Sequence, residues 1–512
     1  MSWHGGRAVR MAILATVVSS TGLYAWQSPA WSDATDSSKG PVTPVLSVRR
    51  VPWWLAQMAA KQRLAAALGR IAGAALGTGP GASGCLVVTQ GTELLYEANG
   101  RDMFIPASDL KILTATAVLD RLGGATKFVT SVKAASPADQ GVIAGNLYLV
   151  GGGDPDLRTS SYGGGTSAAG TTFTSLDALA LQVRQAGISV ITGSVVGDDS
   201  RYDAQRIVHS WKPIYTSEGD VGPLSALDVN DGFVPNSTTT TRPPPAGASK
   251  SRTTSGVSTG SSSTEASNSA ALSFAAAADP ASQAAEVFET LLRKDGVRVE
   301  GGARTGYAPQ SAVVVTSISS ATLSYEVDQM LNFSDDTAAE LFTKELGYQR
   351  SHSGTTAAGT AAIREDLASD GLPVAEMVNV DGSGLDRGDR ASCDLLADAL
   401  RRVGTGSVLA KGLPVAGKSG TLSSRLTGTP AEGRVIAKTG NLDNVVSLSG
   451  FVLPPAGSPP TPALGQPLVF SLILNGPADP MATDIADKVA VALAQYPVLP
   501  PLRDLEPANT GA

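Results

Sequence analysis

Histidine and cysteine are nearly absent from this chain. Among 512 residues there are three histidines and two cysteines. His4, His209 and His352 lie far apart, and a Cys/His zinc site needs several such ligands close together. A Ser-His-Asp triad would have to rest on His209 or His352, and neither sits in a recognisable motif. Aromatic residues make up 5% and charged residues 17% of the chain, with a net charge of −7. No basic run follows the N-terminus, which argues against a nucleic-acid partner. A hydrophobic content of 42% is enough for a sizeable core, and the length suits two or three domains. Long apolar runs are also missing. The one candidate, Met11 to Trp26 behind Arg7 and Arg10, is short for a membrane span of ~20 residues and suits the apolar region of a signal peptide. Residues 1–34 are therefore expected to be a signal peptide or N-terminal anchor, and the body to be exported. A buried N-terminal helix is the competing reading. Export would permit a Cys85–Cys393 disulfide, but spacing cannot distinguish a bridge from two buried free thiols.

The patterning between these limits is mixed. Trp54 to Leu76 is Ala/Leu-rich and predicts a helix. Gly84–Thr89 and Glu93–Glu97 predict two strands, with Gln90-Gly91-Thr92 as a hairpin turn. A helix is expected from about Ser108 to Leu122, apolar on most sides and so buried, ending at Gly123-Gly124. From about 130 to 310 the texture changes to short strands, Gly-rich turns and one helical pattern near Ala281–Lys294. Within it, Asn236 to Ser273 is almost wholly Thr, Ser, Pro, Gly and Ala, and is expected to be disordered. It contains Gly256-Val257-Ser258-Thr259-Gly260, which matches a hydrolase elbow only formally, since no strand-turn-helix surrounds it. Further on, Thr337–Leu346 predicts a helix. Val435–Ala437 and Val445–Leu453 predict adjacent strands with Lys438-Thr439-Gly440 at the turn between them. After about Pro500 the chain reads as a loose tail.

The chemistry is carried by three short motifs in order: Ser108-Asp109-Leu110-Lys111, Ser334-Asp335-Asp336 and Lys438-Thr439-Gly440. Ser108 and Lys111, three apart at a helix start, share one face. A serine hydroxyl needs a base, and a buried lysine beside another cation can supply one. Taken alone, the pair is more often an N-cap serine and a surface lysine. Ser334 could relay a proton, or its segment could simply cap the following helix. Lys438 and Thr439 on a strand edge could hold the carboxylate of an extended peptide, with Gly440 giving room. The nearby Lys418-Ser419-Gly420 lacks a preceding strand pattern and is the weaker candidate.

Together these motifs resemble the S-x-x-K, S-x-N and K-T-G set of penicillin-binding proteins and serine β-lactamases. The chain is similar to the D-alanyl-D-alanine carboxypeptidase/endopeptidase family of class C low-molecular-mass penicillin-binding proteins. Further segments that carry the resemblance are Leu147–Pro155, Ser225–Gly232, Asp381–Leu385 and Leu413–Gly417. It covers roughly residues 55–500. The long interval between Ser108 and Ser334 also fits that family and disfavours a β-lactamase.

The resemblance implies an α/β (α+β) fold: a transpeptidase-like domain of antiparallel sheet and helices, from 55–130 and 311–500, with a large inserted β-rich region at 131–310. It implies that Ser108 attacks a peptidoglycan stem at the penultimate D-alanine, Lys111 accepts the proton, and Ser334 passes one to the departing D-alanine. Asp336, Lys438, Thr439, Gly440 and Asn441 would line the substrate site. Backbone N–H groups of Ser108 and Asn441 would form the oxyanion hole. It implies acylation by β-lactam antibiotics, and no metal or cofactor. Asp336 stands where the family has Asn. An ionised Asp only accepts hydrogen bonds and favours the charged form of a nearby lysine. A slower enzyme, or a catalytically impaired cell-wall-peptide binder, is the expected consequence.

Overall fold

The structure is a computed structural model, and it describes residues 53–77, 83–162, 172–236, 273–455, 465–476 and 478–497. The expected signal segment and the C-terminal tail lie outside the described residues. So does the Asn236–Ser273 tract, except for its ends, where Phe233–Asn236 pairs with Ser273–Ala276. No helix among the described residues is long and apolar enough to cross a membrane.

A five-stranded antiparallel sheet forms the centre. Its order is Val435–Leu442, Val445–Val452, Leu468–Asn475, Ser83–Gln90, Glu93–Ala98. Alternate residues of a strand face opposite sides, and here both sides are buried. On Ser83–Gln90, Cys85 and Val87 face a core containing Ile112, Leu113, Met330, Phe342 and Leu396. Leu86 and Val88 face a second core with Leu64, Leu68, Val489 and Leu493. The first core belongs to the central helix Leu110–Leu122 and the helices Leu323–Phe333, Asp336–Ser351, Thr356–Ser369 and Cys393–Val403. The second belongs to the first and last helices, Trp53–Ala72 and Asp479–Ala494. The sheet is thus sandwiched between helical layers. Cys85 and Cys393 are joined, with S–S 2.09 Å and Cα–Cα 5.9 Å, tying a central strand to the helix packed on it.

A second five-stranded sheet has the order Ala303–Thr305, Val195–Asp198, Leu147–Val150, Val129–Ala134, Val313–Ser319. It mixes parallel and antiparallel pairs. Its core is closed by Pro280–Lys294 and by a helix the patterning did not suggest, Leu176–Gln185. That helix buries Leu176, Leu179, Ala180 and Val183, an i, i+3, i+4, i+7 stripe, and is capped by Ser175. Its ten residues were hidden by the glycine-rich sequence around them.

One correction concerns the third motif. Lys438-Thr439-Gly440 does not form the turn. Its strand runs on through Leu442, and Asp443-Asn444 makes the two-residue connection, with Asn444 at φ 59°. Lys438 is paired with Ser449 and buried within the edge strand.

Candidate active site

Ser108 is presented by a tight turn. Buried Ala107 takes φ 48°, a costly conformation for a residue with a Cβ. A short 3₁₀ turn, Ala107–Asp109, then leads into Leu110–Leu122. Gly384 packs against this elbow. A Cβ on Gly384 would lie 2.0 Å from the Ala107 carbonyl oxygen, and its φ is 85°. Asp381 shapes the Gly384 loop by accepting from the Gly384 N–H (2.7 Å), the Asp386 N–H (2.8 Å) and Trp211 Nε1 (2.8 Å). Glu340 accepts from the N–H groups of Gly382 and Ser383.

Lys111 is fully buried. Its Nζ lies 3.1 Å from Ser108 Oγ and donates to the Ser383 carbonyl at 2.7 Å and to Asp336. Three acceptors match the three N–H bonds of an ammonium. The surface-lysine alternative therefore fails.

Ser334 ends the helix Leu323–Phe333 in the left-handed region, φ 61°. The next residue, Asp335, caps Asp336–Ser351 by accepting from the Ala338 N–H at 2.8 Å. Capping thus falls to Asp335, and Ser334 Oγ accepts from Lys438 Nζ at 2.8 Å. Asp336 opens the helix with its side chain on Lys111. Burial raises the Asp336 pKa, and the Lys111 charge works against that rise.

Lys438 also donates to the Thr439 carbonyl at 2.8 Å. Thr439 Oγ1 lies 2.7 Å from Thr421 Oγ1. Gly440 is required by the protein itself: a Cβ there would meet Ser447 Oγ at 2.2 Å and the Pro106 carbonyl oxygen at 2.9 Å. Asn441 follows, exposed on the same strand. Lys418 of the weaker motif is exposed and paired with Glu432 at 2.5 Å. Its segment still contributes, through Thr421. His209 is exposed, and His352 packs edge-on against Tyr348. Among the described residues no cluster of three or more His, Cys, Asp or Glu is arranged to hold a metal ion.

Residues 79–496 match the D-Ala-D-Ala carboxypeptidase 3 (S13) family. The chain belongs to that family. It is similar to the D-alanyl-D-alanine carboxypeptidase of Actinomadura sp. (strain R39), with 33% identity over 461 residues, 81% of each chain. It is also similar to carboxypeptidase DacB of Mycolicibacterium smegmatis, with 28% identity over 78% of this chain and 77% of that one. The fold is similar to that of penicillin binding protein 4 (dacB) from Haemophilus influenzae, with a TM-score of 0.64 at 19% identity, covering 84% of this chain and 99% of that one.

Within this S13 chain, sequence reasoning missed four contributors to the site. Thr421 carries no motif of its own, and Ser383 belongs to the segment Asp381–Leu385, which resembled the family but was given no role. Glu340 lies one helical turn past Asp336 and looks like an ordinary helix acid. Asp109 occupies a variable position of the first motif, yet it is fully buried. Burial raises its carboxyl to about pH 7, against the pull of the Ser449 hydroxyl and Lys438. Lys438 is lowered to about 7, first by burial and next by the charge of Lys111, with Asp109 and Asp336 opposing.

Proposed function

We propose that this chain is an exported serine D-Ala-D-Ala carboxypeptidase that acts on peptidoglycan stem peptides through an acyl-enzyme at Ser108. The observation that carries it is the pairing of two hydroxyls with two buried lysines: Ser108 with Lys111 at 3.1 Å and Ser334 with Lys438 at 2.8 Å. Each nucleophile or relay has a proton partner, as acyl transfer requires.

In this mechanism Ser108 Oγ attacks the carbonyl of the penultimate D-alanine while its proton passes to Lys111 in the neutral form. Negative charge develops on the carbonyl oxygen, and the N–H groups of Ser108 and Asn441 receive it. The C–N bond breaks as Ser334 gives its proton to the departing amine, and Lys438 replaces that proton. Lys438 and Thr439 hold the terminal carboxylate. Water then releases the acyl group. A β-lactam follows the same first steps and stalls at the ester, so penicillins are covalent inhibitors. The H. influenzae penicillin binding protein 4 with the similar fold also forms a complex with a β-lactam. Cleavage of peptide cross-links is a second use of the same site. Residues 131–310 act as an insert within the transpeptidase-like domain. Residues 1–34 serve as the export signal or anchor.

A second reading, a weakly catalytic wall-peptide binder, is favoured by one feature: Lys111 is ion-paired with Asp336, a carboxylate where the resemblance expects an amide. D-alanine release from a D-Ala-D-Ala peptide separates the two. Steady release that disappears in Ser108→Ala, with the melting temperature retained, supports the enzyme. Peptide binding without release supports the binder. Release by Ser108→Ala would place the nucleophile elsewhere.

A further inference from the structure

Lys438 presents an unsolved charge. It is fully buried, and the acceptors its Nζ reaches are neutral, Ser334 Oγ and the Thr439 carbonyl. Asp336, the carboxylate opposite the site, is engaged by Lys111. A buried ammonium with neutral partners alone sheds its proton, and a neutral amine binds a carboxylate poorly.

Asp109 lies where a counter-ion is needed. The turn Ala107–Asp109 packs on both Val435–Leu442 and Val445–Val452. Its carboxyl lies near the hydroxyls of Ser449 and Ser447, and Ser449 is the register partner of Lys438. Neither Asp109 oxygen makes a hydrogen bond of good geometry, and of the two nearby hydroxyls Ser447 Oγ donates to the Pro106 carbonyl at 2.7 Å. Ser449 is itself engaged with Ser471 at 2.8 Å. The remaining charged groups facing this space are Lys111 from the central helix and Asp336 from the helix Asp336–Ser351.

We propose that Asp109 is the counter-ion of Lys438, a positioning residue that keeps Lys438 protonated and able to bind the terminal carboxylate of the substrate. Asp109 does not touch substrate and acts through Lys438. This rests on Lys438 as the carboxylate-binding residue of the proposed carboxypeptidase. The electrostatics agree. Asp109 and Lys438 are both displaced toward 7 by burial, from opposite directions, and each opposes the other's shift. Together Asp109 and Asp336 balance Lys111 and Lys438. Asp109 thereby slows the loss of the Lys438 proton, which burial and Lys111 have brought down to about 7.

Asp109→Asn in the full chain tests this, because Asn keeps the shape and removes the charge. The Lys438 pKa then falls. The alkaline limb of kcat/KM for a D-Ala-D-Ala peptide moves to lower pH by about one unit, and at pH 7.5 KM rises about tenfold while kcat changes less than about threefold. At pH 6 the KM difference shrinks. Acylation of Ser108 by saturating penicillin persists, so the enzyme reading stands or falls separately, on Ser108→Ala. A purely structural Asp109 gives instead a lower melting temperature with an unchanged pH profile. That result overturns the proposal, and so does a fully wild-type profile. If Asp109→Asn does not fold, Asp109→Ser is measured the same way. Failure of both to fold marks the residue as structural and overturns the proposal too.

Discussion

Two buried charge clusters in this protein solve the same problem in opposite ways. The active site holds two acids, Asp109 and Asp336, against two lysines, Lys111 and Lys438. The junction between the second sheet and the helices around Ser334 holds Asp154, Asp156, Asp228, Asp231, Glu326 and Asp335 around Arg158. Arg158 bonds Asp156 at 2.5 Å and approaches Asp231 at 3.5 Å, and Tyr162 donates to Asp231 at 3.1 Å. Six carboxyls cannot all be charged beside one guanidinium in a low-dielectric interior. Protons fill the deficit. Burial raises Asp154 and Asp335 to about 7 and Glu326 to about 11, and carries Asp228 well above the usual carboxylate range. The active site has a lysine for each acid, whereas the junction sets six acids around Arg158 and meets the deficit with protons, first on Glu326 and Asp228. Asp335 connects them, since it belongs to the junction and caps the helix that begins with Asp336.

The largest expected effect breaks the junction. Arg158→Met leaves the acids without their cation, and loss of one partner from a buried ionic network costs about 3–5 kcal/mol. The melting temperature at pH 7.5 should fall steeply and recover in part at pH 5.5, as the acids take up protons. Equal loss at both pH values would show that Arg158 acts through packing instead.

The active site gives the next effect. Asp336→Asn frees Lys111 from its anion and restores an amide donor toward the substrate. Second-order acylation by penicillin should rise roughly ten- to a hundredfold, equivalent to about 1–3 kcal/mol, with a lower pH optimum. An unchanged or slower rate would show that the ion-balanced site depends on Asp336.

The smallest effect sharpens the contrast. Neither Asp228 oxygen makes a hydrogen bond of good geometry, and the Gly232 N–H opposes its shift only weakly. Its pKa is raised chiefly by burial, next by Asp231. The folded state thus holds a proton that the unfolded chain releases above about pH 3.9. More protons bound in the folded state means that stability falls as pH rises above that value. Asp228→Asn removes this dependence. It should stabilise the protein at pH 7.5 by about 1 kcal/mol and flatten the profile of melting temperature against pH between 5 and 7.5. A lower melting temperature at pH 7.5 would show that Asp228 is an ion after all.

The sequence announced the chemistry more clearly than the electrostatics. Lys111, Ser334, Asp336 and Lys438 are buried beside a half-buried Ser108, because their motifs start helices or lie within a strand and local pattern marks such places. The first hairpin and the helix Pro280–Lys294 were also legible, from turn chemistry and apolar spacing. Asp109 was not. Its letter in Ser108-Asp109-Leu110-Lys111 does not reveal that two strands more than 300 residues later close over it. The left-handed Ala107 was hidden as well, since an alanine does not announce φ 48° and Gly384, packed on that turn, is far away in sequence. The division of labour between Asp335 and Ser334 needed coordinates too, because either residue alone is an acceptable helix cap.

The most direct measurement is peptide mapping of the protein after incubation with penicillin at pH 7.5. One penicilloyl adduct per chain, located on Ser108, is the expected result, formed more slowly in the parent chain than in Asp336→Asn. An adduct on any other residue, or none in the folded protein, would contradict an acyl-enzyme at Ser108.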